Sequence, residues 1–345
     1  MRTLTPVAPP APGAGQSGRP HPDGPGHAVY AEALVRDFDG LRAVDEVELL
    51  IPPGEIYGFL GPNGAGKSTT VRMLCTLMAP TAGRARVAGY DVATEPDQVR
   101  LRIGVALQDV ALDPRQTGIE LLRLQGGLYG LTSRALTRRL AELGELIDLG
   151  DALGRPIGTY SGGMKRRLDL AAALVHDPEV VFLDEPTTGL DPASRARVWA
   201  EIRRLNQQLG MTIFLTTQYL EEADELAHRV GIIDNGSIVA EGTPGELKRS
   251  VGSDVIVARL DRDAARVRPL VEALPGVRGV EAHRNELIIA TGDGAALISP
   301  VAVALAGSGA VVRDLTLRTP TLDDVFLELT GTHIEVTDST KEDPA

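Results

Sequence analysis

The sequence predicts an α/β fold built around a phosphate-binding loop, followed by a small C-terminal α+β domain with a ferredoxin-like order of elements. Residues 61–68 match the pattern G-x-x-x-x-G-K-[ST] and lie between a predicted strand and a predicted helix. The apolar run 180–183 ends in two carboxylates, as a buried parallel strand does when it brings acids to the edge of a sheet. Beyond Ser250, the predicted elements follow the order βαββαβ.

Composition and charge exclude several classes of function. The chain has 345 residues, of which 43% are hydrophobic, enough for one large core and a smaller second one. Its formal net charge of -12 gives no sequence-wide attraction to a phosphate backbone, so nucleic acid is not an expected partner. Cys75 is the single cysteine, so no internal disulfide can form and a reducing cytoplasm is expected.

The sequence predicts neither a secretory signal nor a membrane span. Arg2 follows the initial methionine and no apolar run comes after it. The longest uncharged run, residues 294–312, contains Pro300 and reads as a core helix followed by a strand. Any role at a membrane is therefore expected to come through a partner.

The N-terminal part is predicted to change from a disordered tail to a β-hairpin. Residues 1–27 are rich in proline, glycine and small polar residues, which predicts disorder. The runs 29–35 and 44–51 are rich in Val, Leu and Ile and flank a turn at residues 38–40. Phe38 at this turn either stacks on an adenine ring or packs on the hairpin as an ordinary turn aromatic.

The phosphate-binding loop predicts a site for ATP. Glycines let backbone N–H groups approach phosphates, and the helix that starts near Lys67 adds the positive end of its dipole. Lys67 is expected to neutralise the β- and γ-phosphates, and the Ser68 hydroxyl to bind Mg²⁺. The helix is predicted over residues 68–78. The residues predicted here to contact nucleotide are Gly61, Pro62, Asn63, Gly64, Ala65, Gly66, Lys67, Ser68 and Thr69.

Polar side chains at the ends of three later strands complete the predicted site. Asp184 is expected to hold Mg²⁺ through water, and Glu185 to polarise the water that attacks the γ-phosphate. Gln108 follows the predicted strand 103–107, and its amide oxygen is a candidate Mg²⁺ ligand. Gln218 follows the predicted strand 211–217 and is expected to face the γ-phosphate, where it can donate a hydrogen bond but does not titrate.

A second candidate anion site follows a leucine-rich helical insert. Leucines recur at helical intervals from about residue 113 to 155, which predicts a helical subdomain whose exposed face is a candidate docking surface. Ser161, Gly162 and Gly163 then precede a helix and offer a hydroxyl and unhindered backbone N–H groups at its N-terminus. A simple capped turn explains the same pattern when it is read alone.

In combination, these motifs resemble the nucleotide-binding subunit of an ABC transporter over residues 28–250. The segments 160–164, 216–224 and 322–331 are similar to the daunorubicin/doxorubicin resistance type of exporter ATPase, including glutamine rather than histidine at Gln218. The resemblance implies a P-loop NTPase fold, an ABC-type nucleotide-binding domain with a helical insert. It also implies that Phe38 stacks on adenine, and that Ser161 and Gly163 contact nucleotide across a dimer interface. Gly162 and Asp191 are also implied to contact nucleotide.

The resemblance also implies partners, location and function. The chain is expected to form a homodimer, or a heterodimer with a similar ATPase, and to dock on a multi-span membrane permease at the cytoplasmic face of the cell membrane. There it would hydrolyse ATP with Mg²⁺ to export a hydrophobic compound, with a drug or antibiotic as the candidate. The alternative is a soluble ABC ATPase that acts in DNA repair or translation without a membrane partner.

Four segments are predicted along the chain. A tail at 1–27 precedes the ATPase domain at 28–250, which contains the helical subdomain at about 113–176. A C-terminal regulatory or dimer-supporting domain at 251–331 and a flexible tail at 332–345 follow.

Overall fold

The computed structural model describes residues 26–107, 112–147 and 149–331, with two compact units. The first unit holds the described residues up to Glu241, and the second begins at Gly242. The predicted tail at 332–345, most of the predicted tail at 1–27, and Gln108 lie outside the described residues.

The first unit starts with the predicted hairpin, which forms part of a four-stranded antiparallel sheet in the order β2-β1-β4-β5. Val29, Ala31 and Leu34 of the first strand are buried, and they pack with buried residues of β2 and β4 in one core cluster. The strands are β1 (Val29–Phe38), β2 (Leu41–Ile51), β4 (Ala82–Val87) and β5 (Tyr90–Asp91).

A six-stranded sheet, in the order β10-β9-β3-β8-β7-β6, forms the centre of the first unit. The neighbours β9, β3, β8, β7 and β6 all pair in parallel, which confirms the parallel strand predicted at 180–183. Every residue of β3, β7 and β8 is buried, which explains the almost wholly apolar sequences of β3 and β7, while β8 also buries three threonines. The strands are β3 (Ile56–Leu60), β6 (Ile103–Ala106), β7 (Val180–Asp184), β8 (Thr212–Thr217), β9 (Arg229–Asp234) and β10 (Ser237–Gly242).

Four aromatic rings fix the packing between neighbouring strands of this sheet. The ring of Phe214 lies 5.6 Å from that of Tyr57, 5.5 Å from that of Phe59 and 5.5 Å from that of Phe182, measured between centroids. Burial of such rings contributes several kcal/mol each, since removing one typically costs about 3–5 kcal/mol. The cluster therefore holds β3, β8 and β7 side by side, and with them the polar residues at the ends of these strands.

Helices of the first unit connect the strands or form the predicted insert. The insert contains α3 and α4, and α3 starts with a capping box between Thr117 and Glu120. The helices are α1 (Lys67–Leu74), α2 (Pro96–Arg100), α3 (Gly118–Leu128), α4 (Ser133–Ile147), α5 (Gly162–Leu174), α6 (Pro192–Leu209) and α7 (Leu220–Leu226).

The helix after the phosphate-binding loop is shorter than predicted. It ends at Leu74, not at Met78, because Thr76 adopts a left-handed conformation with φ of 60°. The amides of Leu77 and Met78 both donate to the carbonyl of Arg72, which closes the last turn. Cys75 is buried here as an apolar residue.

The second unit has the predicted ferredoxin-like order. After α8 (Pro244–Val251), its antiparallel sheet has the strand order β12-β13-β11-β14. Strands β12 and β13 form a hairpin, and α10 follows this hairpin in the sequence. The predicted helix over 263–274 is a short 3-10 turn followed by one turn of α-helix, with Pro269 in its first turn. The remaining elements are β11 (Asp254–Leu260), α9 (Arg268–Glu272), β12 (Val277–His283), β13 (Glu286–Thr291), α10 (Gly294–Gly307), β14 (Val312–Arg318) and α11 (Leu322–Thr330).

The division between the units falls at Glu241, on the N-terminal side of α8, whereas the sequence placed it at residue 250, within the last turn of that helix. Helix α8 packs against α11, the last helix of the second unit. Among the described residues, none of the helices has both the length and the apolar character that a membrane span requires.

Substitution of Gly104 tests how closely β6 packs against α5. A Cβ at this position would lie 2.3 Å from the carbonyl oxygen of Ala173, so backbone must move to admit it. We expect Gly104→Ala to lower the free energy of unfolding by about 1–3 kcal/mol. A Cβ added to Gly127, an exposed residue of α3, would meet nothing within 4 Å. Gly127→Ala is therefore a matched control that should stabilise the fold by about 0.5–1 kcal/mol.

Urea denaturation of the three proteins, followed by circular dichroism, measures both effects. If Gly104→Ala had the same urea midpoint as the parental protein, the close contact between Gly104 of β6 and Ala173 of α5 would be contradicted.

Candidate functional site

The predicted phosphate-binding loop lies between β3 and α1, with two glycines that backbone contacts require. Gly66 caps α1 with φ of 107°, and a Cβ there would lie 2.5 Å from the carbonyl oxygen of Ala43. A Cβ on Gly61 would lie 2.3 Å from the carbonyl oxygen of Ile233. Both positions are therefore restricted to glycine by sterics.

The loop presents backbone donors that the rest of the described chain does not use. The amides of Gly64, Gly66, Lys67 and Ser68 find no acceptor among the described residues. They sit at the N-terminus of α1, where the first N–H groups of a helix lack intrahelical partners and the dipole is positive. The loop can therefore hold an anion by its backbone.

Lys67 is buried above this loop. Its Nζ donates to the carbonyls of Gly61 at 2.7 Å and Pro62 at 3.0 Å, and lies 3.6 Å from Oε1 of Glu185. Burial lowers the pKa of Lys67, and the charges of Glu185 and Asp184 oppose that shift. The predicted phosphate-neutralising lysine and the predicted hydrolytic carboxylate therefore lie side by side.

Asp184 joins three elements of the site. Its Oδ1 accepts a hydrogen bond from the Ser68 hydroxyl at 3.2 Å and from the Thr216 hydroxyl at 2.5 Å. Parallel strands end at the same edge of a sheet, so β7 delivers Asp184 next to the start of α1 and the end of β8. Two of the three predicted Mg²⁺ ligands, Ser68 and Asp184, are thus in direct contact.

Glu185 is held in an unusual backbone conformation. Its φ is 50°, a left-handed value that is strained for a non-glycine residue. Its amide bonds to both the carbonyl and the hydroxyl of Thr216 at 3.1 Å, and its Oε2 accepts from the Thr188 hydroxyl at 3.2 Å. The surroundings therefore fix both the backbone and one carboxylate oxygen, while Oε1 faces Lys67.

Gln218 follows β8 and is almost fully buried, with 3% of its surface exposed. Its Oε1 has no hydrogen-bond partner among the described residues. Buried polar atoms are nearly always paired, so an unpaired one at the edge of a site indicates a partner that binds there.

The donor set fits a magnesium-bound nucleotide. The described residues contain no group of three or more His, Cys, Asp or Glu side chains that could hold a metal by themselves. Ser68 and Asp184 supply a hydroxyl and a carboxylate, and Mg²⁺ normally completes such a pair with waters and substrate phosphates. The unpaired Gln218 oxygen and the unused loop amides agree with this arrangement.

The Ser-Gly-Gly turn caps α5 and, among the described residues, forms no hydrogen bond to the phosphate-binding loop. The cap is made by Ser161, which accepts from the amide of Met164. Ser161 and Gly162 are exposed. Asp191 caps α6 through Ser194, whose hydroxyl and amide bonds hold the pKa of that carboxyl below its usual value.

Phe38 lies at the end of β1 and is half-buried. The guanidinium of Arg36 covers one face of its ring at 4.6 Å from the centroid. Arg36 therefore occupies one of the two ring faces on which a base could stack.

Sequence reasoning missed three residues that shape the site. Thr216 bridges Asp184 and Glu185, and Glu222 on α7 accepts from the hydroxyl of Thr187 at 2.8 Å and from the indole of Trp199 at 2.9 Å. Burial raises the pKa of Glu222. The third is Arg166, one turn into α5. Nothing in the local sequence distinguishes these side chains, because each acts through elements that are distant along the chain.

Comparisons with known proteins agree with this geometry. The ABC transporter family matches residues 44–188, and the family described as "ATP-binding protein DrrA1-3-like, C-terminal domain" matches residues 242–330. A daunorubicin/doxorubicin resistance ATP-binding protein of Streptomyces peucetius is 47% identical over 89% of this chain and 93% of its own length. A doxorubicin resistance ATP-binding protein of Mycobacterium tuberculosis is 45% identical over 84% of this chain and 88% of its own.

Solved structures show the same fold. One described as an ATP-binding subunit of an ABC transporter has a TM-score of 0.59 and 28% identity, covering 65% of this chain and 92% of that one. A dimeric bacterial ABC transporter cassette with 23% identity and a TM-score of 0.57, covering 62% of this chain and 98% of that one, shares the fold. The resemblance predicted from the motifs is confirmed: the chain belongs to the ABC transporter family, as an ATP-binding subunit of the daunorubicin/doxorubicin resistance type.

Proposed function

We propose that this nucleotide-binding ATPase hydrolyses Mg²⁺-bound ATP to power the efflux of a hydrophobic compound through a separate membrane subunit. The observation that carries the proposal is the buried cluster of Lys67, Asp184, Glu185 and Gln218 around a loop of unused backbone donors. Relatives of the chain are named for resistance to daunorubicin, doxorubicin and linearmycin, which supports an antibiotic-like cargo.

Each residue of the cluster has a distinct part in hydrolysis. The loop amides and Lys67 hold the β- and γ-phosphates, while Glu185, held by Thr216 and Thr188, orients and polarises the attacking water. Gln218 orients the γ-phosphate by a hydrogen bond without exchanging a proton. When bound by Ser68, Asp184 and Gln108, Mg²⁺ supplies positive charge to a site that already holds two carboxylates and only one ammonium.

Two copies, or this chain and a similar ATPase, complete each site. The exposed Ser161 turn lies at the N-terminus of α5, where backbone N–H groups can bind an anion, and within the described part of the chain it makes no hydrogen bond to its own phosphate-binding loop. Its ligand is therefore the ATP bound by a second subunit. Gly163 and Asp191 both lie next to Ser194. A Cβ on Gly163 would be 3.2 Å from the Ser194 hydroxyl, and the Ser194 amide donates to the carboxylate of Asp191. Phe38 would stack on the adenine.

A groove beside the helical insert is the proposed docking site for the membrane subunit, at the cytoplasmic face of the membrane. The groove has a volume of about 370 Å³, and its lining includes Leu77, Arg100 and Tyr129. Leu77 is 59% exposed, and Leu124 and Leu128 of α3 are 52% and 72% exposed. Leu77 lines the groove, whereas Leu124 and Leu128 belong to α3, the helix that contributes Gln125 to its lining. Exposed leucines on and beside a groove are typical of a protein interaction surface.

Glu185→Gln tests the hydrolytic assignment. The amide preserves shape and hydrogen bonding but cannot polarise water, so we expect ATP binding to persist, turnover to fall by about 10²–10⁴-fold, and an ATP-bound dimer to accumulate. Phosphate release and size-exclusion chromatography measure these effects. Turnover at the parental rate would remove Glu185 from its proposed role.

Gln218→His tests the contact with the γ-phosphate. Glutamine does not titrate, whereas histidine does so at a reference pKa of about 6.5, so the variant should gain an inflection in its kcat profile near pH 6–7. The parental enzyme, measured across the same range, is the control. Superimposable profiles would argue against this contact.

Leu77→Glu tests the docking groove. A charge in the groove should release the membrane subunit from the chain when both are purified from detergent-solubilised native membranes, without changing the ATPase rate of the isolated chain. Leu209→Glu is a matched control, because Leu209 is 50% exposed at the end of α6 and does not line the groove. Recovery of the parental chain without a multi-span protein would contradict the transporter proposal.

A further inference from the structure

Arg166 is a buried arginine, one turn after the Ser-Gly-Gly motif on α5, that the proposed hydrolysis does not use. Its guanidinium donates through Nε to the carbonyl of Pro186 at 2.9 Å, and through Nη2 to the carbonyl of Asp184 at 3.2 Å. Through Nη1 it donates to the carbonyl of Leu107 at 2.7 Å and to Oδ2 of Asp169 at 3.3 Å. One side chain therefore ties α5 to the ends of two neighbouring strands.

Two of these carbonyls flank Glu185. Asp184 and Pro186 are its chain neighbours, and both accept from the same planar guanidinium. Glu185 itself has a strained φ of 50°, and such a conformation persists only where the surroundings over-determine it. Thr216 fixes the amide of Glu185, and Arg166 fixes the carbonyls on either side. The backbone that aims the carboxylate is therefore held from both β8 and α5.

The same guanidinium reaches the edge of the docking groove. Leu107, whose carbonyl it holds, and Asp169, its carboxylate partner, both line the groove. Burial raises the pKa of Asp169 to about 6, against the effect of the neighbouring Arg166. Arg166 thus contacts both the lining of the groove and the end of β7, where Glu185 lies. It is on α5, the same helix that the Ser161 turn caps.

An ordinary structural role for Arg166 is the competing explanation. A buried arginine that satisfies carbonyls can simply stabilise the fold, and its removal would then reduce folding without changing the chemistry selectively. The contacts argue against a purely structural role. The guanidinium donates to the carbonyls of the two residues that flank Glu185, the proposed base, rather than to a helix end or loop remote from the site.

We propose that Arg166 is a positioning residue that sets the backbone of Glu185, so that the rate of ATP hydrolysis depends on where α5 sits. This proposal rests on the proposed role of Glu185. A shift of α5 would move the donors away from the carbonyls and let Glu185 leave its strained conformation. The nucleotide would still bind, because Lys67 and the loop amides belong to other elements.

Arg166→Lys is the main test, on the full-length chain. Lysine keeps the positive charge, but its ammonium cannot span three carbonyls as a guanidinium fork does. We expect kcat to fall roughly tenfold to hundredfold, since small misplacements of a catalytic group have effects of this size. We expect KM for ATP to change less than about twofold, and an ATP-bound dimer to accumulate as it does for Glu185→Gln.

Arg139→Lys is a matched control for a loss of packing. Arg139 is similarly buried, with 14% of its side chain exposed against 9% for Arg166, and it donates to the carbonyl of Leu174 at the opposite end of α5. It also pairs with carboxylates, Glu142 and Asp177. This variant should lose comparable stability while its kcat stays within about twofold of the parental value.

The outcomes separate this inference from the proposed function. A parental kcat for Arg166→Lys, or a loss of ATP binding equal to its loss of kcat, would overturn the positioning role. A parental kcat for Glu185→Gln, measured in the same series, would instead overturn the role of Glu185.

If Arg166→Lys does not fold, Asp169→Asn decides the question. This variant removes one charged partner of the guanidinium and should lower kcat about twofold to fivefold at unchanged KM. A parental kcat for Asp169→Asn would then reject the inference.

Discussion

The burial of one ammonium beside two carboxylates at the carboxyl edge of the central sheet is the constraint on which the rest of the site depends. Lys67 lies 3.6 Å from Glu185, and both are almost fully removed from water. Burying such charges is costly unless each is paired and hydrogen-bonded. The loop carbonyls, Thr188 and Thr216 meet that requirement, and in doing so they fix the geometry that a phosphate would encounter.

Parallel pairing explains why so few strands suffice to build the site. The ends of β3, β7 and β8 lie side by side, so the loop converges with the acids and Gln218, although more than a hundred residues separate it from them in sequence. The aromatic cluster around Phe214 packs between these strands and stabilises their alignment. The sheet therefore fixes where the strand ends lie, while the side chains of Thr216 and Arg166 hold the turn that contains Glu185.

The helical insert and the second unit add surfaces rather than chemistry to this core. The insert presents exposed leucines on α3 and contains α5, whose two ends are each held by an arginine. The second unit is a compact ferredoxin-like domain with its own apolar core. Its similarity to the C-terminal domains of the resistance-type subunits extends the family relationship to almost the whole described chain.

The sequence by itself determined the α/β class, the phosphate-binding loop and the βαββαβ order, because these depend on local patterns of glycine and apolar residues. It missed β9 and β10, extended α1 to Met78, and gave no role to Thr216 or Arg166. Tertiary structure alone decided that the Cβ-free Gly61 faces Ile233 and that Gln218 keeps a buried, unpaired oxygen. Such contacts join residues far apart along the chain, so no local pattern can encode them.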